Sequence, residues 1–273
     1  MVTTHIGVRP SGEFHLGNLL AVSYAINLIK NQNDQKNRFI LTINDWDGNN
    51  DFKQSMEFGT PLIYRGSFEE NKNNLELFTN YIKEICSYEG INYEAINTSS
   101  LFQKNKGKEL LKKICENSNL VSSVIGYKNQ SIPIFPLDEE IKRYVSFAVY
   151  DGQVIRAKSF DDSEIIHHLG SKKMIEMPIE IKLDVKHSIL DSSANYFVLG
   201  KNYTLPTIEK IKKISQILGH SRDYHRSPLL LHHGKVMSKS RRNTISLNGL
   251  LEKKSSLEIH SRLSGLINCL GDR

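Results

Sequence analysis

MVTTHIGVRPSGEFHLGNLLAVSYAIN, residues Met1 to Asn27, decides the fold. Ile6 to Val8 is an apolar run that leads into the turn Pro10-Ser11-Gly12. His15-Leu16-Gly17-Asn18 follows, and Leu19, Val22, Ile26 and Ile29 then recur at helical spacing. The order is strand, glycine-containing turn, helix. The first backbone N–H groups of a helix have no intrahelical partner, and the helix dipole places positive charge beside them. Such a junction predicts an anion site. His15 adds a side-chain donor, so the stretch is expected to hold the triphosphate of a nucleotide.

Working outward, the polar cluster Asn31 to Asn37 ends the first helix and Phe39 to Ile43 is the next strand. Strand, helix and strand in this order make a unit that builds parallel sheets. Asn44-Asp45-Trp46-Asp47-Gly48 then falls at the carboxyl end of the second strand, the edge where open α/β sheets bind ligands. Leu75, Phe78, Ile82 and Ile85 mark a second helix closed by Gly90, Ile91 to Ile96 reads as a strand, and Lys104 to Asn117 as a third helix. The middle differs in character. Tyr144 to Val149 and Val154 to Ala157 flank Asp151-Gly152, a hairpin signal, and Val121 to Met174 reads as an antiparallel insertion. Parallel structure is expected to resume with strands at Ile179 to Val185 and Tyr196 to Leu199 and a helix at Pro206 to Leu218. A short strand, Leu229 to Leu231, leads into His232-His233-Gly234-Lys235-Val236-Met237-Ser238-Lys239-Ser240.

The expected class is α/β, a Rossmann-like parallel sheet with an antiparallel insertion. The expected division is 1–120 for the first half of the catalytic domain and 121–174 for the insertion. Residues 175–245 form the second half with the MSKS loop, and 246–273 a short C-terminal helical tail.

Composition narrows the function classes. The chain has 273 residues, a net charge of +6 and a pI near 9.0, which suits a polyanionic partner such as nucleic acid. Cys86, Cys115 and Cys269 lie far apart and form no CxxC pair, which argues against a zinc ribbon and suits reduced thiols. The apolar runs are too short to span a bilayer and the first residues do not read as a secretory signal, so no membrane role and a cytoplasmic location are expected.

His15-Leu16-Gly17-Asn18 and Met237-Ser238-Lys239-Ser240 resemble the two signatures of class I aminoacyl-tRNA synthetases, HIGH and KMSKS, in the family's order. GVRPSGEFHLGN looks like the first loop of class I lysyl-tRNA synthetases. FILTINDWDG, GINYEAINTSSLF and KLDVKHSILDSSANYFVLGK are similar to the same family in order and spacing. Glutamyl enzymes match comparably from Tyr224 to Ser240.

The resemblance implies a HUP-type nucleotide-binding fold and ATP-dependent activation of an amino acid, lysine first, to its adenylate. Catalytic roles would fall to His15, Asn18 and Lys239. ATP would meet Pro10, Ser11, Gly12, His15, Gly17 and Asn18 on one side and Gly200, Lys201, Asn202, Val236, Met237, Ser238 and Lys239 on the other. The amino acid would meet Gly7, Arg9, Asn44, Asp45, Asp47 and Asp184. Mg²⁺ would be held by ATP and water, with no protein metal cage. The partners implied are an amino acid, ATP and a tRNA acceptor end or another acyl acceptor.

Three positions depart from the family pattern. Val236 stands where Lys is usual, Asn44 where an acidic residue pairs with the substrate ammonium, and Asn202 where Asp is usual. Only Arg241 to Arg273 follow the second motif, where the family carries an anticodon-binding region. Two alternatives to tRNA charging are therefore a truncated paralogue that acylates a small molecule, a protein or a modified base, and a non-catalytic nucleotide- or RNA-binding regulator.

Overall fold

The structure is a computed structural model that describes residues 1–8, 13–30, 37–44, 68–97, 105–127, 131–138, 143–144, 148–159, 161–168, 180–181, 194–200, 203–229, 231–232, 235–236 and 245–271. Its centre is a five-stranded parallel sheet. β1 (Thr3–Val8), β2 (Arg38–Ile43) and β3 (Asn92–Asn97) run to one side. β11 (Tyr196–Leu199) and β12 (Asp223–Arg226) run to the other, giving the order β12-β11-β1-β2-β3. The chain thus builds outward from β1 in one direction and later restarts beside β1 in the other. The gap between β1 and β11 is the topological switch point, where the loops leaving adjacent strands diverge and open a crevice at their carboxyl ends.

Burial explains why these segments are strands. β1 and β2 are almost wholly buried, as parallel strands covered on both faces must be. On one face Ile6, Val8, Phe39, Leu41 and Val198 pack under α1 (Leu16–Lys30) and α2 (Phe68–Tyr88). On the other, Phe197 and Leu199 pack under Ile208 and Ile211 of α5 (Leu205–Ile217). Thr204 caps α5 by accepting the Thr207 N–H at 3.3 Å. Gly90, at φ +67°, takes the left-handed conformation that ends α2, as the sequence predicts.

A second core joins α3 (Asn105–Glu116), α4 (Ser118–Ile125) and the end of α5 to antiparallel strands. Isolated pairs are β4 (Ile134–Phe135) with β10 (Glu180–Ile181), and β5 (Leu137–Asp138) with β6 (Arg143–Tyr144). β7 (Val149–Tyr150), β8 (Val154–Lys158) and β9 (Glu164–His168) form a three-stranded sheet. The hairpin turns at Asp151-Gly152, where Gly152 has φ +98° and Asp151 Oδ1 accepts the Gln153 and Val154 N–H groups.

The structure corrects three expectations. Residues 121–125 are helical, in α4, and antiparallel pairing begins at Ser131. Glu180–Ile181 pairs antiparallel with β4, in keeping with the apolar–polar alternation of residues 179–185, and is not part of the parallel sheet. The last parallel strand is β12, whose Asp-Tyr-His-Arg sequence lacks the apolar run of a buried strand because it lies at the sheet edge. The short strand near Leu231 is one arm of a hairpin, β13 (Leu231–His232) with β14 (Lys235–Val236).

The chain then returns to the sheet. α6 (Leu247–Leu251) and α7 (Ser256–Gly271) place Leu247, Ile259, Leu263 and Ile267 in the main core beside α1 and α2. No helix among the described residues is long and apolar enough to cross a membrane.

Candidate functional site

Gly7 and Gly200 mark the crevice. They lie at the carboxyl ends of β1 and β11, in the register that pairs Ile6 with Val198. Both are exposed, although the strands that carry them are buried, and a Cβ built on either meets nothing within 4 Å. Asn44 closes the third side. Its N–H donates to the Val8 carbonyl at 2.7 Å, and its side-chain Oδ1 is buried without a hydrogen-bond partner among the described residues. A buried acceptor left unpaired is costly, so it marks a place for a donor.

The start of α1 lies at the same edge, and its local chemistry departs from the expectation of free amides. The His15 N–H donates to Asn18 Oδ1 at 3.0 Å, and the Gly17 N–H donates to His15 Nδ1 at 3.1 Å. The Asn18 side chain thus satisfies the His15 amide and the His15 ring satisfies the Gly17 amide, a local cap built from His and Asn. The Leu16 N–H donates to the Ile245 carbonyl at 2.9 Å, and the Asn18 N–H to the His15 carbonyl at 2.7 Å. The first-turn amides are therefore engaged within the protein. An anion bound at this edge would meet side chains and the helix dipole in place of free amides.

His15 is well set for that task. With Nδ1 accepting from Gly17, the proton of the neutral ring sits on Nε2, which makes Nε2 a donor. The ring lies over Gly17. A Cβ at position 17 would stand 2.9 Å from His15 Cε1 and 3.0 Å from Nδ1, so glycine there makes room for the imidazole.

The tail residues Ile245 to Leu247 complete the arrangement, and the expectations drawn from the sequence do not include them. His15 and Ser246 form an antiparallel bridge, and the Leu247 N–H donates to the Phe14 carbonyl at 2.8 Å. Phe14 stacks on Phe78 of α2 with centroids 4.0 Å apart, which fixes the approach to α1. Ser246 caps α6 through the Gly249 N–H at 3.2 Å. The one sequence signal for this segment is Ser246, a capping residue ahead of Leu247, Leu250 and Leu251 at helical spacing.

Of the residues singled out by sequence, the structure thus brings together Gly7, His15, Gly17, Asn18, Asn44 and Gly200 at one edge of the sheet. The backbone of Val236 lies in β14, paired with Leu231. Arg9, Pro10, Ser11, Gly12, Asp45, Asp47, Asp184, Lys201, Asn202, Met237, Ser238 and Lys239 lie outside the described residues. Among the described residues no group of three or more His, Cys, Asp or Glu side chains could hold a metal ion.

No family model and no curated protein matches the sequence. Among solved structures, the chain is similar to tyrosyl-tRNA synthetase from Aeropyrum pernix, with 12% identity, a TM-score of 0.49, and 90% of this chain and 58% of that chain covered. It is similar to tryptophanyl-tRNA synthetase from Campylobacter jejuni complexed with ADP and tryptophan, at 13% identity, TM-score 0.43, and 90% and 63% coverage. It is also similar to a glutamate tRNA ligase from Elizabethkingia meningosepticum in complex with its amino acid, at 13% identity, TM-score 0.46, and 89% and 52% coverage. The chain spans less than two thirds of the length of each of these synthetases.

Proposed function

We propose that the chain activates an amino acid with ATP and transfers the aminoacyl group to the acceptor end of a tRNA. The observation that carries this reading is the backbone ladder between Phe14–Leu16 and Ile245–Leu247. It sets Phe14–Leu16, where the first motif begins, against a segment that starts five residues after Ser240 in the chain, beside the switch point of a parallel sheet. A phosphate site made of one helix start and one basic loop needs that return of the chain.

In the reaction the substrate carboxylate oxygen bonds to the α-phosphorus of ATP, and the bond to the β-phosphate oxygen breaks, releasing pyrophosphate. The protein supplies no nucleophile. It holds the reactants in line and offsets the charge that develops on the leaving group. His15 would donate from Nε2, and the α1 dipole adds positive potential there. Lys239, six residues before Ile245 in the chain, would bring its ammonium. Mg²⁺ carried with the nucleotide would neutralise the phosphates; its oxygens and water, not a protein cage, would ligate it. Gly7 and Gly200 leave open space for nucleotide and amino acid against the backbone, and Asn44 Oδ1 would accept from the substrate ammonium.

Lysine is the first amino acid to test, because GVRPSGEFHLGN resembles the lysyl loop. The decisive experiment is ATP–pyrophosphate exchange across the twenty amino acids, with and without tRNA. Exchange with one amino acid is expected, followed by label in acid-precipitable, RNase-sensitive material. Label in protein or small molecules instead would replace tRNA as acceptor. ATP binding with no exchange under any condition overturns the enzyme reading.

A further inference from the structure

α7 carries a buried stripe of Ser256, Ile259, His260, Leu263, Ser264 and Ile267, one face of a helix. Ser256, His260 and Ser264 are polar, and the last two stand where an apolar pair would pack as well. They face two polar positions of the same spacing on α1. Ser23 Oγ and His260 Nδ1 are 2.9 Å apart, and Ser264 Oγ donates to Asn27 Oδ1 at 3.2 Å. The two contacts advance together along both helices, so α1 and α7 run in the same direction. Both therefore start near the carboxyl edge of the sheet. His260 Nε2 lies 3.4 Å from Glu89 Oε1, just past α2, and Glu89 in turn lies 3.6 Å from the Lys30 ammonium. Serine, histidine and glutamate in this sequence look like a hydrolytic triad, but Ser23 is 0% exposed, so no substrate carbonyl can reach it.

The network has a different use. It lies at the contact between α1, which begins at Leu16 just after His15, and the tail that follows Ile245. We propose that His260 is a positioning residue for the junction between the α1 turn and the Ile245–Leu247 segment: its neutral imidazole, seated between Ser23 and Glu89, holds the tail against α1, and its protonation loosens that junction. The inference rests on the reading of this junction as the nucleotide site, and its test does not need a nucleotide.

The sign follows from the surroundings. Burial disfavours the charged imidazole and lowers its pKa, Glu89 acts in the opposite direction, and Lys30 lowers it further; the net shift is downward from 6.5. From α2, Tyr81 and Cys86 are the other titratable groups near this contact. Burial pushes both up, Cys86 to about 12, so both stay neutral here. A histidine whose pKa is lowered when docked binds its proton more readily when undocked. Docking is therefore fully stable above pH 6.5 and weakens as pH falls below it. One proton taken up by the undocked form shifts the opening equilibrium by at most about tenfold between pH 7.5 and 5.5.

The test is amide hydrogen exchange at Leu16 and Leu247, the ladder donors, corrected for the intrinsic rate at each pH. In the unmodified protein, exchange at both should rise up to about tenfold from pH 7.5 to 5.5. His260→Asn keeps a donor near the Nδ1 position, beside Ser23, and cannot titrate, so its exchange should be flat with pH. Comparing the two removes any contribution from His15 itself. Equal pH dependence in both proteins overturns the proposal. So does a uniform rise in the variant that includes α5, which marks a general loss of stability. If the amides behave as stated and ATP binds nowhere, the proposed function fails and the positioning role stands.

Discussion

Gly17→Ala separates the capping role of the His15 turn from its role in binding phosphate. The added Cβ would stand 2.9 Å from His15 Cε1 and 3.0 Å from Nδ1, closer than such atoms approach, and the cheapest relief is rotation of the flexible imidazole. The helix itself gains, since alanine is favoured over glycine by up to about 1 kcal/mol. Loss of the Gly17 N–H bond to Nδ1 costs about as much. The two nearly cancel, so the melting temperature should change by only a few degrees. Function should not be spared. A hydrogen bond to a charged group is worth about 1.5–3 kcal/mol, which corresponds to roughly 10–150-fold in rate. The assay is ATP–pyrophosphate exchange with the cognate amino acid, beside thermal unfolding and the His15 ring resonances. The expected outcome is a loss of exchange in that range with the fold intact. Exchange within threefold of the unmodified protein, with the ring displaced, would refute the donor role and leave His15 a helix cap.

Three further outcomes test the rest of the structure. Leu247, 2% exposed where the tail meets the main core, should cost about 2–5 kcal/mol as Leu247→Ala in urea unfolding. In the hairpin, hydrogen bonds from the Val154 and Gln153 amides and from Arg156 hold Asp151 down to about 2. Its support should thus persist above pH 3.8 and fade as pH falls through about 2, and Arg156→Ala should raise the titration midpoint seen by NMR. Cys86 and Cys115 are buried and pushed up to about 12, whereas Cys269 is exposed. A thiol reagent should therefore react quickly with Cys269 alone in the native protein, and with all three residues in denaturant.

Much of this architecture is legible in the chain, for local reasons. Thr3–Val8 and Arg38–Ile43 read as strands because both their faces are buried, so their apolar and β-branched residues run almost unbroken. α1 and α5 read as helices because one stripe of each meets the sheet. Gly90 and Gly152 read as turns because their positive φ angles exclude most other residues. Asp223–Arg226 was illegible because an edge strand needs no apolar run. Glu180–Ile181 was misassigned because the alternation of residues 179–185 marks a strand without recording which strand it pairs with.

By itself, then, the sequence determined the elements of the first half of the parallel sheet and the helices on it, since helical spacing, turn chemistry and strand burial are written in neighbouring residues. Tertiary structure alone decided the sheet order that opens the crevice beside β1, and the return of Ile245–Leu247 onto the His15 turn. It also decided that the Leu16 amide of α1 is taken. Each of these depends on hydrogen bonds between residues far apart in the chain, and backbone groups pair by position in space whatever their side chains.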